Sequence, residues 1–363
     1  MRTVIFRPTN SCNLRCTYCY DKDNHGEKVI EIRKKANEKF EQEYDNLQKD
    51  FRILFNNEKR PNLIFHGGEP LLIYPKNIDS FCNDLNRDIS NIKYSIQTNG
   101  TLIDKNNIDV FKKYNMNVGV SLDGCNEKQN VNRIFINGKN SFNVVMNKIK
   151  LLKDNNVRFG LVMSLVKEHI GGEKQLYDFI GKENLSCDIR PVFASSKDDL
   201  SKVMTDEEYS YFFNNLFDIW FDDKDTKVGT HGIVELYHAL KEELKPDYSP
   251  HLCSESNDCF KNFISLDVDS NLYACNRLYG VNKFYYGNLK STNMDEVNKK
   301  SEELLEIRNN AIKKECSLCN NYSRCYGGCI AESYDLYKDI EHKSSMCKTK
   351  KIIKEHVRKR VNE

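Results

Sequence analysis

Short apolar runs alternate along the first half of the chain with longer stretches of helical period. Segments 4–6, 62–65, 92–97, 118–122, 157–166 and 188–192 read as strands. Between them, 30–54, 75–85, 103–114, 142–155 and 173–183 read as helices. The first of these places Ile30, Ile32, Ala36, Phe40, Tyr44 and Leu47 at helical recurrence. Six strands alternating with helices predict an α/β fold with a parallel sheet and crossover helices. Pro191 suggests that the sixth strand stops there or lies at an edge. Functional residues in such folds gather in the loops after the carboxyl ends of the strands.

Four polar loops fall at those ends. The first strand leads into Cys12-Asn-Leu-Arg-Cys16-Thr-Tyr-Cys19. The second ends in His66-Gly67-Gly68-Glu69-Pro70, the third in Gln97-Thr98-Asn99-Gly100, and the fourth in Ser121-Leu122-Asp123-Gly124. Any one of them alone reads as turn chemistry; four at one rim make a site. Adjacent glycines at 67 and 68 point to a tight turn or a close backbone approach. Three thiolates on one short loop can hold three corners of an iron–sulfur cube and leave the fourth iron open to a chelating molecule. A zinc knot is the competing reading of the same spacing.

Beyond residue 192 the alternation breaks into a Ser/Asp-rich segment. Thr205 and Glu208 then have the spacing of a capping box ahead of an aromatic helix at 209–221, and a further helix is expected at 232–244. Segments 264–268 and 272–275 read as a hairpin whose turn holds Asp267 and Asp269, and 294–311 reads as a helix. These changes divide the chain into 1–204, a helical bridge at 205–250, and 251–363. The Lys-rich end, with Ile352, Ile353 and Val357 at helical spacing, predicts a helix packed on the protein.

The 363 residues are 39% hydrophobic and 30% charged with a formal charge of +2, which gives no general case for binding nucleic acid. No secretory signal or transmembrane run is visible, so no membrane partner and a cytoplasmic location are expected. In that reducing compartment fourteen cysteines are better read as ligands or buried small residues than as disulfides. Eight lie late, at Cys253, Cys259, Cys275, Cys316, Cys319, Cys325, Cys329 and Cys347, enough for two four-cysteine sites. Spacing alone does not separate zinc from iron–sulfur there. The incomplete triad favours iron–sulfur, because its chemistry needs electrons.

Cys12-x3-Cys16-x2-Cys19, followed some fifty residues later by Gly67-Gly68-Glu69-Pro70, resembles the signature of the radical S-adenosylmethionine (radical SAM) superfamily. Residues 253 to 347 resemble the SPASM domain of the same enzymes in its two-cluster form. The resemblance implies a partial (β/α)6 TIM-like barrel with a small cysteine-rich carboxyl-terminal domain. It implies three [4Fe-4S] clusters, one on Cys12, Cys16 and Cys19 with SAM on its open iron. A second would sit on Cys253, Cys259, Cys275 and Cys329, and a third on Cys316, Cys319, Cys325 and Cys347. Around SAM it implies Tyr18 near the adenine, and Gly67, Gly68, Glu69 and Pro70 on the methionyl amine. Gln97, Asn99 and Ser121 would follow as hydrogen-bonding groups, Arg133 on the carboxylate, and Leu165 against the adenine or simply in the core.

The activity so implied is reductive cleavage of SAM to a 5′-deoxyadenosyl radical that takes hydrogen from an unactivated carbon of a peptide or protein. Flavodoxin or ferredoxin would supply electrons. Two subclasses compete. Length and cysteine spacing are very like the anaerobic sulfatase maturases, which oxidise a Cys or Ser to formylglycine. Those enzymes carry an aspartate, thought to be a base, directly after the cysteine equivalent to Cys275. Here that residue is Asn276, and an amide cannot take the proton. Asn130 likewise stands where relatives often have histidine. The favoured expectation is therefore maturation of a ribosomally made precursor peptide by a thioether or carbon–carbon cross-link. The precursor would be held by the barrel mouth, the 205–250 helices or a separate leader-binding protein.

Overall fold

The computed structural model describes residues 2–19, 21, 28–192, 202–223 and 253–362. In chain order its principal elements are β1 (Thr3–Arg7), α1 (Val29–Leu54), β2 (Asn62–Phe65), α2 (Pro75–Asp88), β3 (Lys93–Thr98), α3 (Lys105–Lys113), β4 (Asn117–Ser121) and α4 (Phe142–Asp154). There follow β5 (Phe159–Leu165), α5 (Glu173–Lys182), β6 (Cys187–Pro191), α6 (Asp206–Asp222), β7 (Phe263–Asp267), β8 (Asn271–Tyr273), β9 (Tyr285–Asn288), α7 (Met294–Glu315), α8 (Ile330–Tyr337) and α9 (Cys347–Asn362). The alternation expected from the apolar pattern is present as an α/β fold with a parallel sheet. The helix expected at 232–244 lies outside the described residues. Among the described residues no helix is long and apolar enough to cross a membrane.

Contacts divide the chain into two compact units that do not follow chain order. One comprises Met1–Ser121, Arg133–Phe159 and Asp258–Glu306. Within it β4, β3, β2, β1 and β7 are paired in parallel in that order, and β8 and β9 continue antiparallel. The late hairpin thus adds β7 to the open edge of β1, pairing Thr3 with Phe263 and Arg7 with Asp267. Unpaired N–H and C=O groups on that edge give the pairing its drive.

The core beneath β1 is aromatic. Phe6 meets Phe51 edge-on at 5.3 Å and stacks on Phe81 at 5.8 Å, and Phe40 meets Phe81 at 5.5 Å. All four rings are fully buried, each stabilising the fold by ~1.5–3 kcal/mol. The helix α1 runs over 26 residues and buries Ile32, Ala36, Phe40, Leu47, Phe51 and Leu54 along its length. Asp104 begins α3 with a capping box closed by Asn107.

The other unit comprises Leu122–Asn132, Gly160–Asn257 and Ile307–Glu363. Strands β5 and β6 pair in parallel, Leu161 with Cys187 and Leu165 with Pro191, where β6 stops. Thr205 and Glu208 form the expected capping box at the start of α6. That helix buries Phe212, Phe213, Leu216, Phe217 and Trp220. The carboxyl-terminal helix α9 packs along it, as its apolar spacing predicts. Ile353 and Val357 are buried, and Asp218 accepts from His356 at 2.9 Å and Arg360 at 3.0 Å. Arg308, 2% exposed, donates to the carbonyls of Ile340, Gly327 and Gly328 at 2.8, 3.1 and 3.2 Å. It ties α7 to the backbone between the late cysteines.

Candidate active site

The loop that carries Cys12, Cys16 and Cys19 is held by the glycine turn after β2. Gly68 N donates to Thr9 O at 3.1 Å, and Glu69 N to Ser11 O at 2.9 Å. A Cβ on Gly67 would stand 2.6 Å from Thr9 O, and one on Gly68 only 2.1 Å from Ser11 O. Gly67 also has φ +106°. Both glycines are therefore demanded by the approach of two backbones, and Gly67 by its backbone angle as well.

Glu69 is wholly buried. Its Oε1 accepts from Thr98 Oγ1 at 2.6 Å and Leu71 N at 2.9 Å, and its Oε2 accepts from Asn99 N at 2.7 Å. Burial pushes its carboxyl up to about 7, against the pull of those three donors. A carboxylate offers about four lone-pair sites, so one more donor can be received. Asn99 braces the loop from the other side. Its Nδ2 donates to Asn13 Oδ1 at 2.9 Å and approaches Cys12 Sγ at 3.7 Å, while its Oδ1 accepts from Thr101. Asn13 Nδ2 closes the circuit on Thr101 Oγ1 at 2.8 Å.

Other residues expected at the site also meet one another. The Arg133 guanidinium lies over the Tyr18 ring, 5.6 Å from its centroid, a cation–π distance. Gln97 Nε2 donates to Ser121 Oγ at 3.0 Å. In the second unit Leu165 is fully buried among the core side chains. There Asp123 N donates to Asn130 Oδ1 at 3.0 Å, and Asp123 Oδ1 accepts from Ser164 N at 2.9 Å. Asn130 thus serves as a turn-fixing acceptor in the loop after β4.

Burial pushes the Cys12 thiol up, with further upward pressure from Glu69, Cys16 and Cys19 nearby. Cys19 is likewise raised by burial, while the cations of Arg133 and Arg7 oppose the shift. Thiols so placed give up their protons to a metal rather than to water. Cys316, Cys319, Cys325 and Cys347 form a second mutually interacting set, within the second unit. Cys253 and Cys329 interact within that unit, and Cys259 and Cys275 both act on Tyr286 within the first. Among the described residues no three His, Cys, Asp or Glu side chains converge tightly enough to grip one metal ion. In an iron–sulfur cube each thiolate binds a different iron, so wider spacing suits it, and the all-thiol donor sets fit such a group. Cys82 and Cys187 are fully buried core residues, and Cys125 Sγ lies 3.1 Å from Gln129 Oε1.

Sequence reading missed the network at the end of β1. Arg7 is fully buried, and its three nitrogens donate to Asn10 Oδ1 at 2.9 Å, Asn276 Oδ1 at 3.0 Å and Asp21 Oδ2 at 2.6 Å. Its guanidinium stacks 4.0 Å from the centre of the Tyr279 ring. Tyr279 Oη in turn donates to Asp267 Oδ2 at 2.9 Å and accepts from Asn10 Nδ2 at 2.9 Å. One signal was available: an arginine closing the otherwise apolar strand Val4-Ile-Phe-Arg7.

Comparison with known proteins adds to this geometry. The cysteine-type anaerobic sulfatase-maturating enzyme of Clostridium novyi is 29% identical over 343 residues, 90% of this chain and 87% of its own. The solved structure of native anSMEcpe with bound AdoMet and Cp18Cys peptide superposes with a TM-score of 0.80 at 22% identity, covering 99% of this chain and 97% of that one. Streptococcus suis SuiB bound to precursor peptide SuiA superposes with a TM-score of 0.62 at 16% identity, covering 95% and 75%. The fold is theirs. Residues 6–180, which carry the cysteine loop and the glycine turn, match the Radical SAM superfamily.

Proposed function

We propose that this chain is a radical SAM enzyme that oxidises a residue of a peptide or protein substrate, forming a thioether or carbon–carbon cross-link in a ribosomally made precursor. Cys12, Cys16 and Cys19 hold the [4Fe-4S] cluster at which SAM binds. Tyr18, Gly67, Gly68, Glu69, Pro70, Gln97, Asn99, Ser121, Arg133 and Leu165 form the SAM site. Bound together, cluster and SAM supply one-electron chemistry that removes hydrogen from an unactivated carbon. The residues around them do the positioning. Glu69 has one acceptor site left for an ammonium group, and Arg133 over Tyr18 provides a cation for a carboxylate. The Gly68–Ser11 backbone contact keeps the cysteine loop from shifting. Cys253, Cys259, Cys275 and Cys329 hold a second cluster and Cys316, Cys319, Cys325 and Cys347 a third. A flavodoxin or ferredoxin feeds electrons. The enzyme works in the cytoplasm.

The observation that carries the choice of product is Asn276. It stands beside Cys275 with its Oδ1 engaged by Arg7 at 3.0 Å, and an amide there cannot accept the proton that formylglycine formation needs. A second reading, cysteine-type sulfatase maturation, is favoured by the similarity to the Clostridium novyi enzyme over most of both chains. Incubating the reconstituted enzyme, SAM and dithionite with a Cys-containing precursor peptide and, separately, a sulfatase-derived Cys peptide decides between them. Loss of two hydrogens is expected on the precursor, with the thiol blocked to alkylation for a thioether and still alkylatable for a carbon–carbon link. Conversion of the sulfatase cysteine to an aldehyde establishes the second reading instead.

A further inference from the structure

The side-chain amide of Asn99 has no hydrogen-bonding capacity left. A primary amide carries two N–H donors and two acceptor lone pairs. Asn99 Nδ2 gives one N–H to Asn13 Oδ1 at 2.9 Å and the other to Cys12 Sγ at 3.7 Å. Its Oδ1 accepts from Thr101 N at 3.0 Å and from Thr101 Oγ1 at 2.7 Å. The backbone N of the same residue donates to Glu69 Oε2 at 2.7 Å. Asn99 is 8% exposed and Cys12 9%, so water competes little for these groups. All of these residues lie in the first unit.

Chemistry fixes which way the amide points. A backbone N–H only donates, so the atom that faces Thr101 N is the amide oxygen, and the nitrogen is left facing Cys12. Thr101 Oγ1 locks this arrangement, donating to Asn99 Oδ1 and accepting from Asn13 Nδ2 at 2.8 Å. Leu14 N, 3.4 Å from Cys12 Sγ, is a second donor on the same sulfur. Donors on a cysteine sulfur stabilise it more as negative charge builds up there, which raises the reduction potential of an iron–sulfur group it holds. An amide with both donors and both lone pairs engaged has none to give to SAM.

We propose that Asn99 is a positioning residue that acts through Cys12: its amide holds the Cys12 sulfur by an N–H···S hydrogen bond and makes the cluster there easier to reduce. The proposal rests on reading Cys12, Cys16 and Cys19 as cluster ligands. On reduction one electron enters the cluster, supplied in the test by titanium(III) citrate, which is oxidised by one electron, and no bond is made or broken. Within the SAM site Asn99 thus serves by bracing. Its side chain holds the ligand sulfur, and its backbone holds Glu69, the carboxyl with an acceptor site left for an ammonium group. One residue thereby fixes the two parts of the site relative to each other.

The test is a reductive titration of the reconstituted, SAM-free holoenzyme followed by electron paramagnetic resonance. The signal of the first cluster is identified as the one that changes when SAM is then added. Asn99→Ala is expected to make its reduction about tenfold less favourable, a midpoint lower by ~59 mV for one electron. Thr101→Val, which unlocks the amide without removing it, is expected to cost about threefold in the same equilibrium. Thr101→Ser keeps the hydroxyl and is expected to stay at the wild-type midpoint. Iron content shows that each variant is loaded, and the Thr101 pair decides if Asn99→Ala loses iron. A wild-type midpoint in loaded Asn99→Ala, or equal midpoints for Thr101→Val and Thr101→Ser, overturns the proposal. A wild-type spectrum in which no signal responds to SAM rejects the underlying reading, and the proposal with it.

Discussion

Arg7 and Asn276 are 269 residues apart in the chain, yet Arg7 Nη1 donates to Asn276 Oδ1 at 3.0 Å. The pair joins the end of β1 to the turn after Cys275 and rests on the parallel pairing of β1 with β7. Arg7→Met leaves the oxygens of Asn276 and Asp21 without their cationic donor. A loss of about 3–5 kcal/mol is expected in urea unfolding of the holoenzyme. Arg7→Lys should recover only part of it, since an ammonium cannot reproduce the planar fork.

Asn276→Asp puts a carboxylate against the same guanidinium. The cation favours its charged form at neutral pH, so a proton acceptor appears where the native chain has none. The variant is expected to yield aldehyde from a sulfatase-derived Cys peptide, read by hydrazide trapping and mass. A variant that folds, cleaves SAM and yields no aldehyde removes Asn276 as the determinant of product.

Gly68→Ala places a methyl group where Ser11 O stands, 2.1 Å away. One of the two backbones must move, and the Gly68–Thr9 and Glu69–Ser11 hydrogen bonds are expected to break. A cost of ~2–4 kcal/mol is expected, with incomplete iron loading of the first cysteine set. Iron per chain and thermal unfolding measure the two effects.

Glu43 accepts from Lys290 at 2.6 Å, Asn46 at 2.9 Å and Lys39 at 3.2 Å, fastening α1 to the loop after β9. The Lys290 hydrogen bond leads in holding its carboxyl down to about 2, below the ordinary 4.5. The native state binds the proton less readily than the unfolded chain. Its contribution is therefore complete above pH 4.5 and lost as pH falls toward 2, amounting to about 3 kcal/mol at most. Glu43→Gln should flatten that part of the stability–pH curve, measured by urea midpoint from pH 5 downward.

Cys325→Ala removes one thiol from the last set. Three filled cubes correspond to about twelve irons per chain, and the variant should hold about eight. On the proposed three-cluster reading, metal binding there contributes to folding, and residues 316–347 are expected to become protease-sensitive while residues 30–120 stay resistant. Chelation of the native protein should produce the same pattern, followed by limited proteolysis and mass measurement.

The sequence by itself determined what depends on local spacing. Periods of two and 3.6 residues announce the strands and helices, and Thr205 with Glu208 announces a cap; each of these is written within a few neighbouring residues. Tertiary structure alone decided what depends on residues far apart. Nothing in 263–267 says that it will take the free edge of β1, because strand pairing depends on which edge is open once the chain has folded. Nothing around Arg7 names Asp21, Asn276 and Tyr279 as its partners, because a buried cation is satisfied by whichever acceptors the packing brings to it. The glycines at 67 and 68 stand between the two cases. Their need for space is legible in the sequence, but the backbone that fills it, Thr9 to Ser11, is not.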